Sequence, residues 1–254
     1  MKRTDLTDVT FIIPIRLDSI IRIENIMMVI MNIENHFKTA IHILNADKHD
    51  NRILPNVLPK NVKYTFIQDY DPIFHRTKYI NLMTNAVNTP FISVWDADVI
   101  VPKRQLLESV EQLRTGSYQM AFPYEGHLLN TGNVIREYYI QKRYIRTLIK
   151  NANMMEIMYG DNCVGGCFIV NLDAYRAVGG ENEEFYGWGY EDYERVTRMD
   201  RKGCKIYRSK GNAYHLTHPR DINGNHSNIF QRERSKYIAD CYTNMVDDNK
   251  LSTL

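Results

Sequence analysis

FISVWDADVIVP, residues 91–102, is the stretch whose reading decides the fold. Phe91 to Trp95 is a short apolar run without polar alternation, the pattern of a strand buried on both faces. It runs directly into Asp96-Ala97-Asp98. Open α/β sheets place their ligands beyond the carboxyl ends of such strands. Two carboxylates spaced i, i+2 there can both face a divalent cation and the phosphates it bridges. On an exposed loop the same triplet is only a solvated turn, so the flanking segments have to decide between the two.

Upstream, strands and helices alternate. Val9–Ile15 reads as a buried strand, Ser19 as the cap of a helix reaching about His36, Ala40–Leu44 and Val62–Ile67 as strands, and Thr77–Val87 as a helix. Met27, Met28 and Met31 are flexible core filling. This order predicts an α/β protein with a mostly parallel central sheet flanked by helices. Downstream the alternation fades. A helix over about Lys103–Arg114 precedes a strand-like run near Tyr118–Pro123. The segment Thr131–Lys150 then spaces Ile135, Tyr138, Tyr139, Ile145, Leu148 and Ile149 on a helical period, with Arg136, Lys142, Arg143, Arg146 and Lys150 on the other face. Gly165-Gly166, Gly179-Gly180 and GWGYED at 187–192 follow, then a helix to about Lys202, a short strand CKIYR and a polar tail ending in helix.

With 254 residues, 44% of them hydrophobic, the chain buries enough surface to fold without disulfides or metals, which excludes disorder. A net charge of +2 gives no sign of a nucleic-acid partner. The most apolar stretch, Ile20–Ile33, is interrupted by Arg22, Glu24, Asn25 and Asn32 and is too short and too charged to span a bilayer. MKRTDLTD at the start lacks the apolar core of a secretory signal. Cys163, Cys167, Cys204 and Cys241 form no CxxC pair and read as reduced thiols of a cytoplasmic protein.

His215 and His218 in YHLTH have the i, i+3 spacing that lets two imidazoles reach one metal. Alone they would be surface histidines near Pro219. Added to Asp98 they supply three protein ligands and leave positions open for phosphate oxygens and water. In GWGYED the glycines allow close approach, Trp188 can stack on a sugar face, and a carboxylate can accept a hydroxyl proton. The plainer reading is an aromatic loop leading into a helix whose dipole favours Glu191 and Asp192. Both readings are compatible.

Four blocks in order now carry a resemblance: IIPIR at 12–16, FHRTK at 74–78 with WDADVIVP at 95–102, VGG at 164–166 with GWGYED at 187–192, and YHLTHPR at 214–220. The chain resembles nucleotide-sugar glycosyltransferases of the GT-A fold, most closely the β-1,4-galactosyltransferase catalytic domain and bacterial chondroitin-polymerase-type relatives. The resemblance implies a single GT-A domain over 1–254, with 1–102 as the nucleotide-binding half and 103–254 as the donor-sugar and acceptor half. It implies that Pro14 and Arg16 contact the uracil end of a UDP-sugar and that Phe74 and Arg76 close over base and ribose. Asp98, His215 and His218 would hold Mn2+, with Mg2+ as the alternative. Asp96, Ala97, Gly166 and Trp188 would line the donor, with Trp188 against the sugar. Asp192 would be the general base of an inverting transfer, and Glu191 would orient hydroxyls. An aspartate in that role is expected outside any tight salt bridge. Two alternatives stay open: a retaining enzyme similar to the polypeptide N-acetylgalactosaminyltransferases, and a sugar-nucleotide- or carbohydrate-binding protein without turnover.

Departures from the family pattern limit what the resemblance carries. His215 stands where the animal enzymes have methionine, a change toward a better ligand for a borderline cation. Leu17 and Asp18 replace a polar and a basic residue after the first strand, and Tyr193 and Glu233 replace acceptor-binding residues. Cys163 replaces a tyrosine that crowds the donor sugar's C2 substituent, so UDP-GalNAc as well as UDP-Gal is an expected donor. The acceptor is expected to be a glycan or lipid-linked glycan in surface polysaccharide synthesis. The basic segment 131–150 is either a solvated helix on the core or a contact with acceptor or anionic membrane lipid.

Overall fold

A computed structural model describes residues 2–220, 223–226 and 228–244. The alternation legible upstream of Trp95 is present with longer strands: β1 (Thr4–Ile15), α1 (Ile20–His36), β2 (Phe37–Asp47), a short α2 (Ile53–Val57), β3 (Lys63–Gln68), α3 (Arg76–Asn85) and β4 (Phe91–Trp95). After the acidic triplet come β5 (Val99–Ile100), α4 (Lys103–Arg114), β6 (Met120–Phe122), β7 (Leu128–Asn130), α5 (Gly132–Lys142), α6 (Ile145–Lys150) and β8 (Glu156–Met158). The chain continues through β9 (Cys167–Asn171), α7 (Leu172–Ala177), α8 (Glu191–Arg201), β10 (Ile206–Arg208), β11 (Ala213–His215) and α9 (Ile229–Asn244).

Seven strands form the central sheet in the order β10-β6-β9-β4-β1-β2-β3. Pairing is parallel from β3 through β2 and β1 to β4 and again between β6 and β10, while β9 runs antiparallel to both its neighbours. All five residues of β4 are buried, which is why it reads as a continuous apolar run. The core around it joins Phe11, Ile12 and Ile13 of β1 to Ile26, Val29, Ile30 and Ile33 of α1. Ser19 caps α1 as its sequence suggests, its hydroxyl accepting from the Arg22 amide at 3.3 Å. Two asparagines on the buried face of α1 are used for positioning. Asn25 donates to the Leu216 carbonyl (2.8 Å) and Asn32 to the Val101 carbonyl (3.1 Å), tying the helix to the segments after β11 and β5.

A second sheet has the order β5-β11-β7-β8, and its strand β5 follows β4 of the central sheet directly after the acidic triplet. β5 leaves the acidic triplet and pairs antiparallel with β11, which sets His215 opposite Val99.

Residues 131–150 depart from the expected single amphipathic helix. α5 ends where Arg143 takes a left-handed conformation (φ 58°), and α6 starts anew at Ile145. Arg136, read as part of a solvated basic face, is buried. It donates to Asn25 (2.8 Å) and to Glu24 (2.6 Å) and pairs with Glu137. Partners more than 100 residues away in sequence outweigh the local periodicity. Tyr138 and Ile149, assigned to the packed face, are 48% and 47% exposed.

The four cysteines are unpaired. Among the described residues no helix is long and apolar enough to cross a membrane. The expected domain span of 1–254 extends beyond the described residues at both ends.

Candidate active site

The turn that follows β4 is closed from beneath. The Trp95 indole, 1% exposed, donates to the Val99 carbonyl at 2.7 Å across the Asp96-Ala97-Asp98 triplet. The Asp96 amide donates to the Gly166 carbonyl (2.8 Å), joining the triplet to the VGG turn. Gly166 has a φ of +82°, and a Cβ there would stand 3.3 Å from Val99 and 3.4 Å from Leu128, so a glycine is needed both for conformation and for space.

The Leu216 amide donates to the Asp98 carbonyl (2.7 Å), bringing YHLTH alongside the triplet. His218 Nε2 lies 3.1 Å and His215 Nε2 3.7 Å from the Asp98 carboxylate, and ligand atoms from the three residues all fall within 4.8 Å of one another. The other ring nitrogens are occupied. Nδ1 of His215 bonds Asn130 Oδ1 (3.1 Å) and Nδ1 of His218 bonds the Pro219 carbonyl (2.7 Å). An acceptor at each Nδ1 turns each Nε2 toward Asp98, the ring orientation a metal ligand needs. Burial pushes His215 down to about 4, so its imidazole is neutral at physiological pH. Burial also works to raise the Asp98 carboxyl, but in the acid range, where His215 is charged, His215, the hydrogen bond from His218 and Arg22 outweigh it and hold Asp98 well below the usual carboxylate range. One carboxylate oxygen and two imidazole nitrogens suit a borderline divalent cation such as Mn2+, so the donor set fits the expected metal.

GWGYED supplies a second group of residues to the same cavity. Tyr190 is left-handed (φ 69°) at the start of α8, which places Glu191 and Asp192 in its first turn. Glu191, 6% exposed, accepts from the Gly189 amide (2.8 Å); burial and the adjacent Asp192 charge push it up to about 7. Asp192 contradicts the expectation that it stands outside a tight salt bridge. Its Oδ1 receives Arg195 at 2.6 Å and Arg76 at 3.5 Å. Burial acts to raise its carboxyl, but the two guanidinium groups outweigh that and hold it below the ordinary value. Arg76 also donates to Asp96 (2.7 Å), so it stands between the two carboxylates. Burial nevertheless raises Asp96 above the usual range.

Pro14, Arg16, Phe74, Arg76, Asp96, Ala97, Asp98, Gly166, Trp188, Glu191, Asp192, His215 and His218 all line one cavity of about 660 Å³. Every candidate residue from the sequence is therefore brought to one place. Arg16 reaches it with its polar atoms engaged by protein, donating to the carbonyls of Ala46 and Asp71 and to Asp69 (2.5 Å) while lying over the Phe74 ring. Trp188 makes a tilted contact with Tyr159 (5.8 Å) and an edge contact with His226 (4.9 Å). Sequence reasoning missed Arg22, Asn130, Tyr159, Glu181, Arg195 and His226. Arg22 and Arg195 were within reach, being i+4 from Asp18 and i+3 from Asp192. Nothing local marks the others.

Residues 147–220 match the family model described as the N-terminal domain of galactosyltransferase. No curated protein matches the chain. Among solved structures, the catalytic domain of Drosophila β1,4-galactosyltransferase 7 in complex with xylobiose is 16% identical, with a TM-score of 0.58 over 90% of this chain and 79% of that one. A mutant of the same Drosophila enzyme in complex with manganese, UDP-Gal and xylobiose is 15% identical (TM-score 0.52, 91% and 78% covered). Glucosyl-3-phosphoglycerate synthase from Mycobacterium tuberculosis, in complex with Mn2+, UDP and phosphoglyceric acid, is 13% identical (TM-score 0.52, 83% and 71% covered). The chain thus has the fold of the GT-A glycosyltransferases, and its segment 147–220 carries the sequence pattern of the galactosyltransferase family.

Proposed function

We propose that this protein is a metal-dependent inverting glycosyltransferase that moves Gal or GalNAc from a UDP-sugar to a hydroxyl of a glycan or lipid-linked glycan. The observation that carries the reading is that Asp98, His215 and His218, with ligand atoms within 4.8 Å of one another, line the same cavity as Asp192 in the first turn of α8. Asp98, His215 and His218 would hold Mn2+, which would supply positive charge against that developing on the UDP leaving group. Pro14, Arg16 and Phe74 bind the uridine end, while Arg76, Asp96, Ala97 and Gly166 bound the ribose and diphosphate region. Trp188 offers its face to a sugar, and Asp192 accepts the proton of the attacking hydroxyl. One in-line displacement, in which the acceptor oxygen bonds the anomeric carbon as that carbon's bond to UDP breaks and Asp192 takes the hydroxyl proton, gives inversion. Glu191, with a carboxyl near neutrality, can donate to a sugar hydroxyl as well as accept from one. Cys163 presents a small side chain to the cavity, which leaves room for an N-acetyl group. Work in the cytoplasm on surface polysaccharide is the setting that suits reduced thiols and a sugar-nucleotide donor.

Mixing UDP-Gal and UDP-GalNAc with Mn2+ and simple sugar acceptors, and reading UDP release with NMR of the product anomer, tests this. The reading expects metal-dependent UDP release and a β-linked product; an α-linked product from these α-linked donors would establish retention instead.

A second reading concerns where the acceptor is met. Val134 (83% exposed), Tyr138, Tyr144 (71%) and Ile149 are apolar and uncovered on α5, α6 and their junction, beside Lys142, Arg143, Arg146 and Lys150. Exposed apolar groups among cations suit an anionic lipid surface. Sedimentation with phosphatidylglycerol vesicles should bind the parent and release the Arg143→Glu/Arg146→Glu variant; a parent that stays in the supernatant rejects the membrane reading.

A further inference from the structure

Arg195 is the one arginine whose side chain is fully enclosed behind the reactive wall, at 0% exposure. Placing a guanidinium there is costly unless it is paired with carboxylates, and its Nε has no hydrogen-bond partner among the described residues, so the two Nη groups carry the pairing. Its two ends are divided. Nη1 donates to both oxygens of Glu181 (2.9 and 3.1 Å), and Nη2 donates to Asp192 Oδ1 (2.6 Å). The guanidinium plane lies 4.0 Å over the Phe168 ring of β9. Glu181 is equally fixed. It is 3% exposed, accepts from the Tyr175 hydroxyl of α7 (2.5 Å), and its own amide donates to Asn81 of α3 (2.8 Å). A chain of buried contacts therefore runs from α3, α7 and β9 through Glu181 and Arg195 to one oxygen of Asp192.

The other oxygen faces a cleared space. A Cβ on Gly165 would stand 2.8 Å from Asp192 Oδ2, and among the described residues no hydrogen-bond donor engages that oxygen. The remaining charged or titratable groups around Asp192 are Arg76 from α3, Asp96 beyond β4, Glu191 before it on α8 and the Cys163 thiol. Only Arg195 makes a short bond to it.

We propose that Arg195, anchored by Glu181, is the positioning residue that aims Asp192, occupies Oδ1 so that Oδ2 takes the hydroxyl proton, and sets the lower pH limit of that proton transfer. The inference rests on the reading of Asp192 as general base. A surface salt bridge at i, i+3 would carry little weight. This one is buried on the arginine side and braced by a second carboxylate, so it fixes direction as well as charge. A cation at this distance lowers a carboxylate by about one to three pH units, and misplacing a reacting group by about 1 Å costs on the order of 100-fold in rate.

The test is the pH profile of kcat/KM for Arg195→Met, Arg195→Lys and Glu181→Gln beside the parent. Arg195→Met should move the acid limb up by about one unit or more and lower kcat by roughly 100-fold. Arg195→Lys keeps the charge but loses the fork. Its limb should stay near the parental one while kcat drops by about tenfold or more. Glu181→Gln removes a negative charge behind Arg195, so its limb should not rise. A purely structural role would lower the melting temperature and activity together with the limb unmoved. NMR titration of the Asp192 carboxyl carbon reads the same shift without turnover. An unshifted Asp192 in folded Arg195→Met, or full kcat in Arg195→Lys, overturns the inference. If Arg195→Met does not fold, the Lys and Gln variants decide. A parent that titrates as expected but transfers no sugar would instead reject the proposed function and leave the clamp standing.

Discussion

Replacing Asn130 with alanine should weaken Mn2+ binding although Asn130 is not itself a metal ligand. β7 and β11 pair in parallel register with Asn130 against His215, and Asn130 Oδ1 lies 3.1 Å from His215 Nδ1. That bond fixes the tautomer and orientation in which His215 Nε2 faces Asp98 at 3.7 Å. Without it the ring is free to rotate and to protonate on either nitrogen. Loss of such an outer partner typically costs about 10–100-fold in metal affinity, equivalent to roughly 1.4–2.7 kcal/mol. His215 is only 6% exposed, so alanine leaves its Nδ1 without that partner, and folding should lose about 1–3 kcal/mol. Titration followed by the EPR signal of free Mn2+ gives the affinity, and urea denaturation checks the fold. His215→Ala, which deletes a ligand, should lose more than Asn130→Ala. Equal Mn2+ affinity in parent and Asn130→Ala would refute the argument, as would a parent that binds no Mn2+ at millimolar concentration.

Gly165→Ala should lower kcat by about 100-fold with donor KM little changed, because a methyl group placed 2.8 Å from Asp192 Oδ2 must displace that carboxylate; steady-state kinetics at saturating Mn2+ would show it, and full activity would mean that Oδ2 does not act there. Cys163→Tyr should select against UDP-GalNAc while retaining UDP-Gal, read as the ratio of UDP release from the two donors, and an unchanged ratio would remove Cys163 from donor choice.

The half of the fold up to Trp95 was legible because β4 and the second half of β1 are apolar runs buried on both faces and α1 begins at a capping serine. FISVW, VTFIIPI and Ser19 each carry a local signal that the packing agrees with. The candidate site was legible because its residues lie in short blocks at element ends, and the second sheet brings two of those blocks together. What stayed hidden depends on distant partners. Arg136 reads as a surface cation until Asn25 and Glu24 of α1 are placed against it. The break at Arg143 rests on one left-handed residue that no glycine or asparagine announces. The expectation that Asp192 stands apart from salt bridges failed for a related reason. Its partner, Arg195, reads as one more exposed helix charge until Glu181, Tyr175 and Phe168 enclose it.

The central claim is that one cavity joins a metal-and-UDP site to a base at Asp192, and Asp192→Asn separates the two most directly. The substitution keeps the size of the side chain, and Asp192 is not one of the three residues whose ligand atoms cluster within 4.8 Å, Asp98, His215 and His218. Calorimetry of UDP with Mn2+ should therefore give an affinity within about threefold of the parent's, while transfer should fall by at least about 100-fold, in line with loss of a general base. An Asp192→Asn protein that transfers sugar at the parental rate, or one that no longer binds Mn2+ and UDP while remaining folded, would contradict the account.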